Sequence, residues 1–307
     1  MNRIFFLFCI LLYSQLAMKA QMNIEQRVVQ ESQLKILSWN IYMLPYISLF
    51  NGNGNRAKMI VDELKTSDYQ IIVFQEAFSS HCRGIISKGL KERYPYQYGP
   101  ANINYIPLRT NSGLWVLSKI PLTKIGQIAF RQSSGYDRIA RKGAVMFEGE
   151  YNQTTFQLLA THLQADNPDQ LRAEQCAEIK QKLLTPNCKN KVPQIICGDF
   201  NIDFDDQSNY RNMLTTLDAE NGDISGQVHT TYDEVNNNLA RIPNGKMRII
   251  DYILIRDSQH LETIERKIHP FYKAVGTEHH FLSDHYAMEA SISFRSINIE
   301  SFAQVVK

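Results

Sequence analysis

Eight short apolar runs punctuate the chain, each closed by turn-forming or polar residues: Leu34–Trp39, Gln70–Phe74, Leu114–Leu117, Ala144–Phe147, Phe156–Ala160, Gln194–Cys197, Ile249–Ile255 and Ala287–Phe294. Runs of this length and composition predict buried strands. Two other stretches carry a helical period. In Arg56–Lys65 the apolar residues Ala57, Ile60, Val61 and Leu64 fall at i, i+3, i+4 and i+7. A second helix is expected with Asn167 as N-cap and Pro168 at its first position. It would turn Cys176, Ile179 and Leu183 to the core and end at Pro186 and Asn187. Strands between about residues 114 and 160 follow one another without long helices. That order favours a mixed-sheet α/β or α+β layering over a doubly wound fold. Segments 97–112 and 218–247 carry no regular pattern, and long irregular segments in compact proteins tend to line functional surfaces. There is no internal repeat, low-complexity tract or linker-like stretch.

Four of the predicted strands end in groups able to do chemistry: Ser38-Trp39-Asn40, Phe74-Gln75-Glu76, Cys197-Gly198-Asp199-Phe200-Asn201 and Ser283-Asp284-His285. A single Asp at a strand end is usually a turn former. Four such ends are better explained by one oxygen-lined site for a hard cation such as Mg²⁺. Glu76 is the best single ligand, with Asn40, Asp199 and Asn201 within reach of the same cavity. His162 closes the run Leu158–Thr161, and His285 stands just before the last strand. Two histidines beside one metal would provide acid and base for phosphodiester hydrolysis near neutral pH. Asp251 could orient one imidazole. His81, His229, His260, His269, His279 and His280 are read as structural.

Composition adds limits. The 307 residues, 44% hydrophobic and 21% charged, can bury a large core. Arg3 precedes the apolar run Ile4–Leu12, which has the length of a signal-peptide h-region and is too short to span a bilayer. Cleavage near Ala20 would leave a secreted protein and remove Arg3 and Lys19, taking the formal charge from +2 to 0. A neutral chain has no overall electrostatic footprint for nucleic acid. In an oxidising compartment Cys176 and Cys188 could pair, whereas Cys197 reads as a buried thiol. No zinc spacing occurs.

At these residues the chain resembles the endonuclease/exonuclease/phosphatase superfamily. The shared motifs are Trp39-Asn40, Gln75-Glu76, Thr161-His162, Gly198-Asp199-Phe200-Asn201, Asp251-Tyr252-Ile253 and Ser283-Asp284-His285. Within it the chain is similar to secreted bacterial sphingomyelinases C, on Asn40–Pro45, Arg172-Ala173-Glu174-Gln175 and Pro243-Asn244-Gly245-Lys246. The resemblance implies a DNase I-like α/β fold, a four-layer sandwich of two packed mixed sheets flanked by helices. The expected division is a signal peptide at 1–20, a lead-in at 21–33, one phosphodiesterase domain at 34–298 and a tail at 299–307.

By the same resemblance, Glu76 would ligate Mg²⁺ or another divalent cation, with Asn40, Asp199 and Asp284 as further ligands or polar wall. Asp199 and Asn201 would face the scissile phosphate. His285 would be the general base paired to Asp251, His162 the general acid or phosphate stabiliser, and Lys142 a phosphate contact. The implied substrate is sphingomyelin or a related phosphosphingolipid at a membrane or vesicle surface, cleaved to ceramide and a phosphorylated headgroup, with no stable protein partner. A secreted nuclease sharing the same metal and histidines is the alternative, and a non-catalytic lipid-binding relic is a third reading. Two features depart from the toxins of that branch. The region His269–Phe281 is too short for their long aromatic hairpin, and their disulfide positions hold no cysteines. Tyr42–Phe50 offers an apolar lip in place of the hairpin.

Overall fold

The computed structural model describes residues 33–44, 52–103, 110–165, 168–275 and 278–295. Two mixed sheets pack face to face. The first has seven strands in the order Tyr96–Tyr98, Trp115–Ser118, Ile71–Ala77, Gln33–Met43, Ala287–Phe294, Leu261–His269 and Ile224–Ser225. The second has five: Asp251–Arg256, Gln194–Asp199, Thr154–His162, Gly143–Tyr151 and Leu122–Ala129. Each sheet has a parallel pair at its centre, Gln33–Met43 with Ile71–Ala77 and Thr154–His162 with Gln194–Asp199. Both pairs run toward the same end of the molecule, so their polar C-terminal residues gather there.

Strand alternation explains the layering. Along Gln33–Met43, Leu34 and Ile36 enter the core between the sheets, while Leu37, Trp39, Ile41 and Met43 face outward under helices. The inter-sheet core also takes Val73, Leu158, Ile195, Ile253 and Ile292. Helices Asn53–Leu64 and Ser80–Leu90 cover the outer face of the first sheet through Ala57, Ile60, Leu64, Cys82 and Ile86. Helices Asp169–Ile179 and Gln207–Leu217 cover the second through Cys176, Ile179, Tyr210, Met213 and Leu217. The result is the expected four-layer α/β sandwich. No helix among the described residues is long and apolar enough to cross a membrane.

Gly198 shows how tightly the second sheet is drawn at its Asp199 end. Its φ is 152°, and a Cβ there would sit 1.9 Å from the carbonyl oxygen of Thr161. Only glycine lets the two parallel strands close up beside Asp199.

Several expectations change. The helix after His162 runs Asp169–Ile179 with Pro168 as its extended flanking residue, one step later than the spacing suggests. Asn167 lies outside the described residues. Cys176 and Cys188 are not joined: Cys176 is fully buried and Cys188 is an exposed free thiol. A π-helical turn, Lys180–Leu184, carries the helix on to Asn187, so Cys176 stays on the core face while Cys188 emerges beyond the end. Cys197 is a buried thiol as expected. The region before Ser283 does form a hairpin, Tyr272–Val275 with Glu278–Phe281, only four residues per strand. Of the apolar lip, Met43 is buried, and residues 45–50 lie outside the described residues.

Candidate active site

Register alone places three groups side by side. Asp199 pairs with His162 on one neighbouring strand and with Asp251 on the other. The first sheet contributes Asn40 and Glu76 from adjacent parallel strands, and the Ser283–His285 segment from the entry to Ala287–Phe294. Local bonds fix that segment. Ser283 Oγ donates to the Asn40 carbonyl at 2.6 Å, and Trp39 Nε1 donates to the His285 carbonyl at 3.0 Å. Asn237 Nδ2, from the irregular 218–247 segment, donates to the carbonyls of Ser283 and Asp284.

Asp199 is the hub. Its Oδ2 lies 3.0 Å from Asn40 Nδ2, 3.4 Å from His162 Nε2 and 3.7 Å from His285 Nε2. Its Oδ1 accepts from the Asn201 backbone N–H at 3.0 Å. Both imidazoles therefore face one cleft. Asn201 and Glu76 reach it through left-handed backbone, φ 52° and 53°. For Glu76 this is unusual, and it ends the strand alternation that would otherwise point the side chain toward the helices. A Cβ on Gly113 would come within 3.0 Å of the Glu76 backbone, so a glycine opposite makes room for the distortion.

The carboxylates are crowded and short of positive charge. Burial and then Asp284 push the Glu76 carboxyl up to about 7. Burial and then Asp251 raise Asp199, and burial raises Asp284. Glu76 Oε2 is buried without a hydrogen-bond partner among the described residues. An unpartnered buried carboxylate oxygen beside two other acids is costly unless a cation sits there. The donor set is all oxygen, as a hard divalent ion requires. Donor atoms of Asp199, Asp251 and His285 also lie within 4.8 Å of one another. In that trio, however, Asp251 Oδ2 is already spent on His285 Nδ1 at 2.9 Å. Asn40 is partly committed as well, its Oδ1 accepting from Tyr42 N–H. Glu76 and Asp284, with Asp199 beside them, are the residues that fit a cation.

The two histidines differ sharply. Burial disfavours a charged His285, but Asp251 and Asp199 outweigh it and push its pKa up to about 10. His162 goes the other way, held well below the usual imidazole range by burial and then by Lys142. Lys142 Nζ lies 2.9 Å from His162 Nε2, 2.9 Å from the Leu163 carbonyl and 2.9 Å from Asp137 Oδ2. An ammonium can only donate, so Nε2 accepts and the ring is neutral with its proton on Nδ1. Asp137 was not visible as a site residue in the sequence. It sits on the short 3₁₀ turn Gly135–Arg138, five positions before Lys142, with no periodicity or strand end to single it out. Tyr232 is a second such residue, its ring 4.8 Å from that of His285.

The chain is similar to known proteins. Sphingomyelinase C of Bacillus cereus is 27% identical over 304 residues, covering 87% of this chain and 90% of its own. A phospholipase C of Staphylococcus aureus is 26% identical over 244 residues, 73% of each chain. A crystal structure of a double-mutant beta toxin from Staphylococcus aureus with bound magnesium ions superposes with a TM-score of 0.72. It is 24% identical over 84% of this chain and 99% of that one. Residues 37–285, from the first strand to His285, match the model of one family, and the chain belongs to it: the endonuclease/exonuclease/phosphatase family.

Proposed function

We propose that this protein is a secreted, divalent-cation-dependent phosphodiesterase that hydrolyses sphingomyelin or a related phosphosphingolipid to ceramide and a phosphorylated headgroup. The observation that carries the reading is the meeting of two imidazoles at one Asp199 oxygen, in the same acid cluster as an unpartnered Glu76 oxygen. The relatives named sphingomyelinase C and phospholipase C support the substrate class.

Glu76, with Asp284 and Asp199, would hold Mg²⁺. When bound, the ion supplies positive charge that stabilises the phosphate oxygens and the leaving alkoxide. Asp251 fixes the Nδ1–H of His285 and leaves Nε2 directed into the cleft. Without a cation the surrounding acids keep that ring protonated. Neutralising the acids frees it to take the proton of the attacking water at Nε2. The new bond joins water oxygen to phosphorus and the broken bond is phosphorus to the ceramide oxygen, which leaves as an alkoxide and is protonated from solvent. Lys142 contributes a fixed positive charge beside the phosphate position. His162, neutral in this arrangement, orients Lys142 by accepting from its ammonium at Nε2, in place of carrying a proton.

A lipid panel with and without chelator tests this, reading the released headgroup by mass spectrometry. The expected outcome is chelator-sensitive release of a phosphorylated headgroup from a phosphosphingolipid. Nicking of plasmid DNA with no release from any sphingolipid vesicle would assign the site to a nuclease instead.

A further inference from the structure

A polar cavity of about 350 Å³ opens beside Asn201. Asn201 joins it to the catalytic groups, because Asn201 Nδ2 and Lys142 Nζ donate to the same Leu163 carbonyl, at 3.3 and 2.9 Å. Its walls include Asp203, Asp206, Asn209, Arg172 and Arg248, and among the described residues no aromatic ring lines it. Asp203 Oδ1 accepts a local backbone N–H from Asp205, which leaves the carboxylate's second oxygen for the cavity. Arg248 pairs through Nη2 with Glu234, while its buried Nε has no partner among the described residues.

A second, independent feature concerns the aromatic rings. Tyr42 and Tyr232 border the acid cluster, and each carries a guanidinium of this same chain on its ring. Arg56 lies 5.6 Å from the Tyr42 centroid and Arg248 5.1 Å from that of Tyr232. A trimethylammonium group binds best on open aromatic faces, and it offers no hydrogen-bond donor. Here it would meet rings already holding a positive charge. In the cavity it would desolvate carboxylates and guanidiniums without giving them partners.

We infer that the cavity beside Asn201 is a headgroup subsite that selects phosphosphingolipids with a hydrogen-bond-donating headgroup, a primary ammonium or a polyol, over those with trimethylammonium. This rests on the phosphosphingolipid reading of the site. Asp203 receives an ammonium or hydroxyl donor, and Asn209 supplies a second polar contact.

The test uses the full chain with Mg²⁺ and vesicles containing ceramide phosphoethanolamine, ceramide phosphoinositol or sphingomyelin at equal mole fraction. At least one of the first two should exceed sphingomyelin in kcat/KM by about tenfold or more, the discrimination expected of polar groups left unpaired by the wrong substrate. Asp203→Asn, which keeps the shape and the Oδ1 acceptor, should bring the ratio to within about threefold, and Asn209→Ala should lower it less. Sphingomyelin turned over as well or better, or a ratio unmoved in both variants, overturns the proposal. Calorimetry with free phosphoethanolamine, inositol phosphate and phosphocholine separates this from the functional reading. If no sphingolipid is cleaved, the function fails, yet weaker binding of phosphocholine than of either other ligand still supports the subsite. Equal or tighter phosphocholine binding sinks it.

Discussion

His162 and His285 reach the same carboxylate oxygen at 3.4 and 3.7 Å, and both stand at strand ends beside acids, yet one ring is held neutral and the other protonated. The difference lies in burial and in the charged partner that each ring meets besides Asp199. His285 gives Nδ1 to Asp251, and two carboxylates keep it protonated. His162 gives Nε2 to the Lys142 ammonium in a fully buried position, and is kept neutral. Position on a strand end brings a histidine to the cleft, while burial and the charges nearest the ring decide what it can do there.

The comparison is broken most directly at His285. His285→Ala should lower headgroup release by roughly 10²–10⁴-fold if the ring is the general base. Loss of only a few-fold would remove that assignment. Lys142→Met should cost about 10²-fold through the lost charge, and it should let the His162 pKa rise, a change visible in the imidazole NMR signals. An unaltered His162 titration would mean that burial alone keeps the ring neutral. Asp251→Asn should cost about 10–100-fold, as supporting groups behind a catalytic or ligating histidine do. It should also lower the pKa of His285 by removing its first opposing charge. Unchanged kinetics together with an unchanged titration would leave Asp251 a structural acid.

The strand ends were legible because an apolar run stopping at an acid, amide or histidine says both where the chain is buried and where it emerges. Asn40, Glu76, His162 and Asp199 carry that signature, Asp251 and His285 stand where strands begin, and all six meet. Asp137 carries none, since a tertiary contact across a short 3₁₀ turn leaves no period in the sequence. The strands Leu122–Ala129 and Leu261–His269 escaped for another reason. The first is a half-exposed edge, and the second interleaves charges, one of which, Arg266, is buried by donating to the Ile253 carbonyl. Helices Ser80–Leu90 and Gln207–Leu217 did carry readable caps, Ser79 and Asp206, ahead of Cys82-Ile86-Leu90 and Tyr210-Met213-Leu217. Their polar remainder masked the spacing. That Cys176 and Cys188 stay unpaired was unreadable because a π turn changes the phase between them.

The smallest expected effect sharpens the comparison through stability alone, in the cation-free chain. A histidine kept neutral by the fold takes up a proton in the unfolded chain below its ordinary pKa near 6.5 but not in the folded one. His162 therefore supports the fold above that pH, and its contribution is lost as pH falls below it. His285, raised to about 10, has the opposite sign: its contribution is complete below 6.5 and disappears as pH rises through 10. Between pH 7.5 and 5.5 only His162 should cost stability, by about 1.4 kcal/mol for one proton. Urea unfolding of the wild type and of His162→Asn across that window measures it. The stability difference between the two should shrink by about that amount toward low pH. A difference that stays flat would show that His162 can take up a proton in the folded protein, and the contrast between the two rings would dissolve.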